Sequence, residues 1–134
     1  MATPNPGKKG GAQPDAILKK LKNKPKDPWL NAQMARIHDK NGDTGDAVVR
    51  AMLSLDKKPT LDNIRLTLRL LTKARAFRAV VLYGEWAVES GLANTQVYAT
   101  LAKAFDHLKE PDKAEFYSSL AEETAADKPS DTIS

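Results

Sequence analysis

Apolar residues in this chain recur every three or four positions along most of its length, and no convincing period-two strand appears. That spacing predicts seven helices. The first covers Asp15 to Asn23, opening at a Pro-Asp pair, with Ile17, Leu18 and Leu21 on one side and Pro25 beyond it. The second opens at Asp27-Pro28, an N-cap residue followed by proline at the first helical position, and runs to Lys40 before Asn41-Gly42. The third covers Thr44 to Lys57, with an apolar stripe of Ala47, Val48, Ala51, Met52 and Leu55, and ends ahead of Pro59. The fourth, Leu61 to Lys73, is unusually apolar: Leu61, Ile64, Leu66, Leu68, Leu70 and Leu71 all fall within it. The fifth covers Phe77 to Ser90 and stops at Gly91; the sixth covers Thr95 to Leu108; the seventh opens at Pro111 and fades near Ala126. Helices of about 13 residues with links this short pack antiparallel to their neighbours.

The two ends read differently. Residues 1–14 hold three prolines, three glycines and no large apolar residue except Met1, so nothing there offsets the entropy of ordering. A disordered arm is expected at 1–14, a helical domain at 15–126 and a disordered acidic tail at 127–134. The opening residues carry charge with no apolar run behind them, which is not the pattern of a secretory signal. No apolar stretch approaches the roughly 18 to 20 residues of a membrane span. The chain has no cysteine, which removes disulfides, thiolate metal sites and cysteine nucleophiles together. The expected compartment is the cytoplasm.

Self-similarity organises the helices. Ala47, Ala79 and Ala114 are read as the close-contact alanines of the third, fifth and seventh helices, at intervals of 32 and 35 residues. Twelve residues before each lie Ala35, Thr67 and Ala102, preceded by Met34, Leu66 and Leu101 and followed three residues later by His38, Leu70 and Phe105. On these residues the chain resembles the tetratricopeptide repeat family, whose period is 34. The third unit fits best, through Tyr98, Leu101, Ala102, Phe105 and Ala114. The first keeps Met34, Ala35, Gly42, Ala47 and Pro59 but has Asn31 and His38 where bulkier residues are usual. The second departs at Asn63 and Thr67.

The resemblance implies an all-α fold: a right-handed α-solenoid of about three degenerate helix pairs plus the short N-terminal helix. It also implies a concave groove lined by the first helix of each pair, where the family binds peptides. Carried onto this chain, the partner-binding groove is Trp29, Ala32 and Arg36, then Ile64, Leu68 and Leu71, then Ala99 and Lys103. Ile64 and Leu68 read equally well as core. The asparagines of the family's carboxylate clamp are missing, so no clamp is expected.

Charge refines the picture. Residues 1–26 hold seven lysines against Asp15, whereas residues 104–134 hold three lysines against eight acids, so the net +4 conceals a polarised chain. Arg65, Arg69 and Lys73 stand four apart and form a basic stripe on one helix face. On the last helix Ala114, Tyr117 and Ala121 can face the preceding helix, leaving Phe116 and Leu120 as an end face for docking or self-association. Catalytic chemistry has little to stand on: two histidines without metal-ligand spacing, no phosphate-cradling glycine loop, and an Asn41-Gly42-Asp43 turn lacking the glutamate of a calcium loop. No enzyme activity, cofactor or metal is expected. The expected function is a scaffold, adaptor or chaperone-like module that binds a peptide or amphipathic helix of another protein. The alternative is a structural subunit, a homodimer or part of a larger complex, whose basic arm contacts an acidic surface. A nucleic-acid module is not visible, so nucleic acid is not expected as a partner.

Overall fold

A computed structural model of the chain describes residues 14–127. Among them all seven predicted helices are present, each end within one residue of the sequence reading, and there is no strand. They are α1 (Pro14–Asn23), α2 (Pro28–Lys40), α3 (Thr44–Lys57), α4 (Leu61–Lys73), α5 (Phe77–Glu89), α6 (Thr95–His107) and α7 (Pro111–Ala126). No described helix is long and apolar enough to cross a membrane. The expected arm and tail lie outside the described residues, apart from Pro14, which opens α1, and Asp127, whose N–H donates to the Glu123 carbonyl.

Local chemistry sets the helix ends. Asp27 caps α2 by accepting from the Leu30 N–H at 2.9 Å, and Asn94 caps α6 by accepting from the Val97 N–H at 3.0 Å. Proline opens α2 and α7, where its missing N–H costs nothing. Four helices end in one motif. After α2 the N–H of Asp43 donates to the His38 carbonyl and that of Gly42 to Asp39, the paired bonds of a Schellman turn. The same pair closes α4 around Arg75, α5 around Gly91 and α6 around Lys109. All four pivots have positive φ, although two of them carry side chains: Arg75 (φ 60°) and Lys109 (φ 61°).

The chain divides into two compact units, Met1–Asn63 and Ile64–Ser134. In the first, α1 lays Ile17 and Leu21 on Leu30, Met34 and Ile37 of α2. Helix α3 packs on α2 across a hydrogen-bonded seam. Asn31 is fully buried; its amide donates to the carbonyls of Pro25 (3.0 Å) and Asp27 (3.1 Å), and its oxygen accepts from Arg50 at 2.9 Å. Ser54, also fully buried, donates to the Pro28 carbonyl at 2.7 Å.

In the second unit α5 packs on α6 and α6 on α7. Its buried residues are mostly aliphatic, with Phe105 and Tyr117 as the aromatic members. Phe105 stacks on Tyr117 with centroids 5.7 Å apart, and Tyr98 lies 6.3 Å from the same ring. Phe77 stacks on His107 at 4.1 Å. Gly84 lets α6 come close to α5, because a Cβ there would lie 2.6 Å from Leu101 Cδ2.

A recurrence of 33 and then 34 residues runs through these elements. It relates the starts of α2, α4 and α6 (Pro28, Leu61, Thr95), those of α3, α5 and α7 (Thr44, Phe77, Pro111), and the turn pivots Gly42, Arg75 and Lys109. The intervals of 32 and 35 read from the alanines are therefore corrected by one residue in the middle. Val80, not Ala79, corresponds to Ala47 and Ala114; Val80 is fully buried and Ala79 only partly so.

Candidate functional site

Among the described residues, a groove of about 800 Å³ lies between α6 and α7. Ala99, Ala102, Lys103 and Asp106 form its α6 wall, and Ala114, Ser118, Ala121 and Ala125 run down the α7 wall. Glu115 and Glu122 stand on the same α7 wall, so the lining carries three carboxylates against one ammonium. Asn94 fixes the start of α6 and Pro111 that of α7, while the Lys109 turn sets the short link between them. A hydrogen bond of 2.8 Å from Thr95 to Thr124 ties the start of α6 to the end of α7.

Of the groove residues expected from sequence, Ala99 and Lys103 line this concavity and are exposed. On α2, Trp29 and Arg36 are exposed and Ala32 is buried between them in register. Ile64, Leu68 and Leu71 are 0, 2 and 3% exposed, so a partner reaches none of them without moving a helix. The corrected register explains why. Residues 33 and 34 apart from Ala32 and Arg36, and from Ala99 and Lys103, are Arg65 and Arg69, not Ile64 and Leu68. The one-residue slip arose in α4, where so many leucines offer more than one apolar phase. One member of the basic stripe, Arg69, thus holds the register that carries Arg36 and Lys103 elsewhere, and Arg65 holds that of Ala32 and Ala99. Arg65, Arg69 and Lys73 are exposed, and each has an interaction partner within the chain.

Phe116 is 59% exposed and Leu120 partly so, with Phe116 set edge-on to Tyr117 at 5.1 Å. They are not peculiar to the last helix. The same register holds Val49 and Leu53 on α3 and Leu82 and Trp86 on α5, and all four are exposed. Sequence reading saw only the last of these three pairs.

Two further groupings escaped the sequence reading. The Tyr117 hydroxyl and Glu85 Oε2 are 3.3 Å apart, joining α7 to α5. Burial, then the nearby Glu85 carboxylate, push the Tyr117 phenol above its ordinary 10.0. In the first unit His38 Nδ1 lies 3.8 Å from Asp43 Oδ2, and Asp46 brings a third donor atom within 4.8 Å of both. Asp43 stands at the N-cap of α3 without capping it through its side chain. Both carboxylates lie where the partial positive charge of the helix start favours them, which accounts for their place without an ion.

No protein-family model matches the chain, and no curated protein matches it.

Proposed function

We propose that this chain is a non-catalytic protein-binding scaffold. In this reading α2–α3, α4–α5 and α6–α7 are three degenerate tetratricopeptide-like pairs stacked as a right-handed solenoid, with α1 as a half-unit at one end. The 33- and 34-residue recurrence of helix starts and turn pivots supports the repeat. One helix pair cannot bury its own apolar faces, so stacked pairs share a continuous core. The observation that carries the binding role is the open α6–α7 groove, which takes in the expected residues Ala99 and Lys103 and has small side chains along both walls. A segment of another protein, a peptide or an amphipathic helix, is the occupant this shape supports.

Affinity capture with wild-type and Ser118→Trp bait, read by mass spectrometry, tests it. Ser118 is exposed, so the indole fills the groove without entering the core. The expected result is a partner lost from the variant while its helical circular dichroism is unchanged. A partner held equally by both baits would remove the groove from the contact. The exposed pairs on α3, α5 and α7 favour a second reading, a subunit of a larger assembly. Under it, Leu82→Asp and Phe116→Asp lower the mass of the native complex while the groove variant does not.

A further inference from the structure

We infer that the α6–α7 groove is a seat for one α-helix and that its occupant is a basic amphipathic helix of the partner protein. This rests on the binding reading above and names the chemistry of the partner. Val80, Gly84 and Ala87 lie on one face of α5, all buried, and α6 comes so close there that Leu101 fills the space a Cβ at Gly84 would need. Thirty-four residues on, the same register holds Ala114, Ser118 and Ala121 of α7. These three line the groove; Ser118 is exposed and the two alanines are partly so. Helix α7 therefore presents openly the face that α5 buries beneath a helix. The corresponding face of α3, Ala47, Ala51 and Ser54, is fully buried as well.

An extended segment fits this surface poorly. The backbone N–H and C=O groups of α6 and α7 are spent within their own helices, so a strand laid there would leave its polar backbone unpaired against methyl groups. A helix satisfies its own backbone, and small side chains beneath it allow axes to approach to about 8 to 10 Å. The side chain over Ser118 then corresponds to Leu101 over Gly84: a leucine or another apolar residue of that size.

Charge selects the sign of the partner. Asp106, Glu115 and Glu122 outnumber Lys103 on the lining, and Glu115 and Glu122, seven apart, share one face of α7. Lysine or arginine on the flanks of the incoming helix, also about seven residues apart, would meet both carboxylates. A second copy of this chain is a poor occupant. Its basic helix α1 has Ile17 and Leu21 already packed on α2, leaving Leu18 alone to enter a groove.

The test is selection of a display library of random peptides, about 16 residues or some 24 Å as a helix, on the full-length chain. Counter-selection uses Ser118→Trp and, as an independent filler, Ser119→Trp, each checked for native helical content. The expected clones lose at least tenfold in binding to both fillers, carry apolar residues at i, i+3 or i+4 and i+7, and are net basic. Glu115→Lys combined with Glu122→Lys weakens them about tenfold more in low salt than in high salt. Groove-dependent clones that are proline-rich or net acidic would overturn the inference while leaving the binding reading intact. A concentration-dependent dimer dispersed by both fillers would overturn it by making a second copy the occupant. Absence of any groove-dependent clone would sink the inference and the groove as the binding site together.

Discussion

The two units solve the same packing problem with different chemistry. Asn31 in the first unit and Tyr98 in the second hold the same register, and so do His38 and Phe105. Where the second unit stacks Tyr98 and Phe105 on Tyr117, the first ties Asn31 to two carbonyls and to Arg50. Stacked rings contribute buried area and tolerate small sliding. A buried amide with its bonds made contributes less net energy but holds one geometry, because displacement strands its partners. Positions 67 residues apart, Asn31 and Tyr98, thus keep their place on corresponding helices while exchanging the forces that hold them.

Substitutions at four sites test this contrast, in descending order of effect. Phe105→Ala removes the ring on which Tyr117 stacks and should cost about 3 to 5 kcal/mol in urea unfolding. A loss under about 1 kcal/mol would mean the aromatic cluster is not what closes the second unit. Asn31→Ala takes the side-chain amide from Arg50 and the Pro25 carbonyl, while the Asp27 carbonyl keeps the backbone N–H of residue 31, and should cost about 1 to 3 kcal/mol. Asn31→Leu combined with Arg50→Met should recover part of that loss, and failure to recover any would place the cost in shape, not polarity. Lys109→Gly relieves a left-handed residue with a side chain and should stabilise by about 1 kcal/mol, seen as a rise in Tm.

The smallest effect is confined to alkaline solution. The Tyr117 phenol is held above 10.0 in the folded state, by burial first and by Glu85 second, so the unfolded chain ionises before the folded one. Its contribution to stability is therefore complete below pH 10.0 and is lost as pH rises through the folded value. Tyr117→Phe should flatten the fall in stability above that pH. An unchanged slope would detach Glu85 and Tyr117 from the electrostatics of the second unit.

Helix limits were legible because the chain marks them with local chemistry. Asp27-Pro28, Gly42, Gly91 and Pro111 each impose a cap, a stop or a start that needs no tertiary context. Arg75 and Lys109 adopt the same turn conformation as Gly42 without the residue that usually signals it, so the regularity of those turns was invisible. Register across α4 was not legible, since Leu66, Leu68, Leu70 and Leu71 give no single apolar phase. Nor was the partner of Asn31, which lies 19 residues away at Arg50. Half of the groove was reached through Ala99 and Lys103. The α7 half was missed, although Ala114, Ser118, Ala121 and Ala125 recur at helical spacing and offered a signal.

The indoles have an optical consequence. The chain contains two tryptophans, Trp29 on α2 and Trp86 on α5, so each compact unit owns one indole fluorophore. Both rings are partly open to solvent, and neither belongs to the hydrogen-bonded seam or the stacked cluster. Trp29→Phe and Trp86→Phe would each leave a single tryptophan emitter confined to one unit. Melting curves from the two variants then report the polar closure and the aromatic closure separately, with no label added.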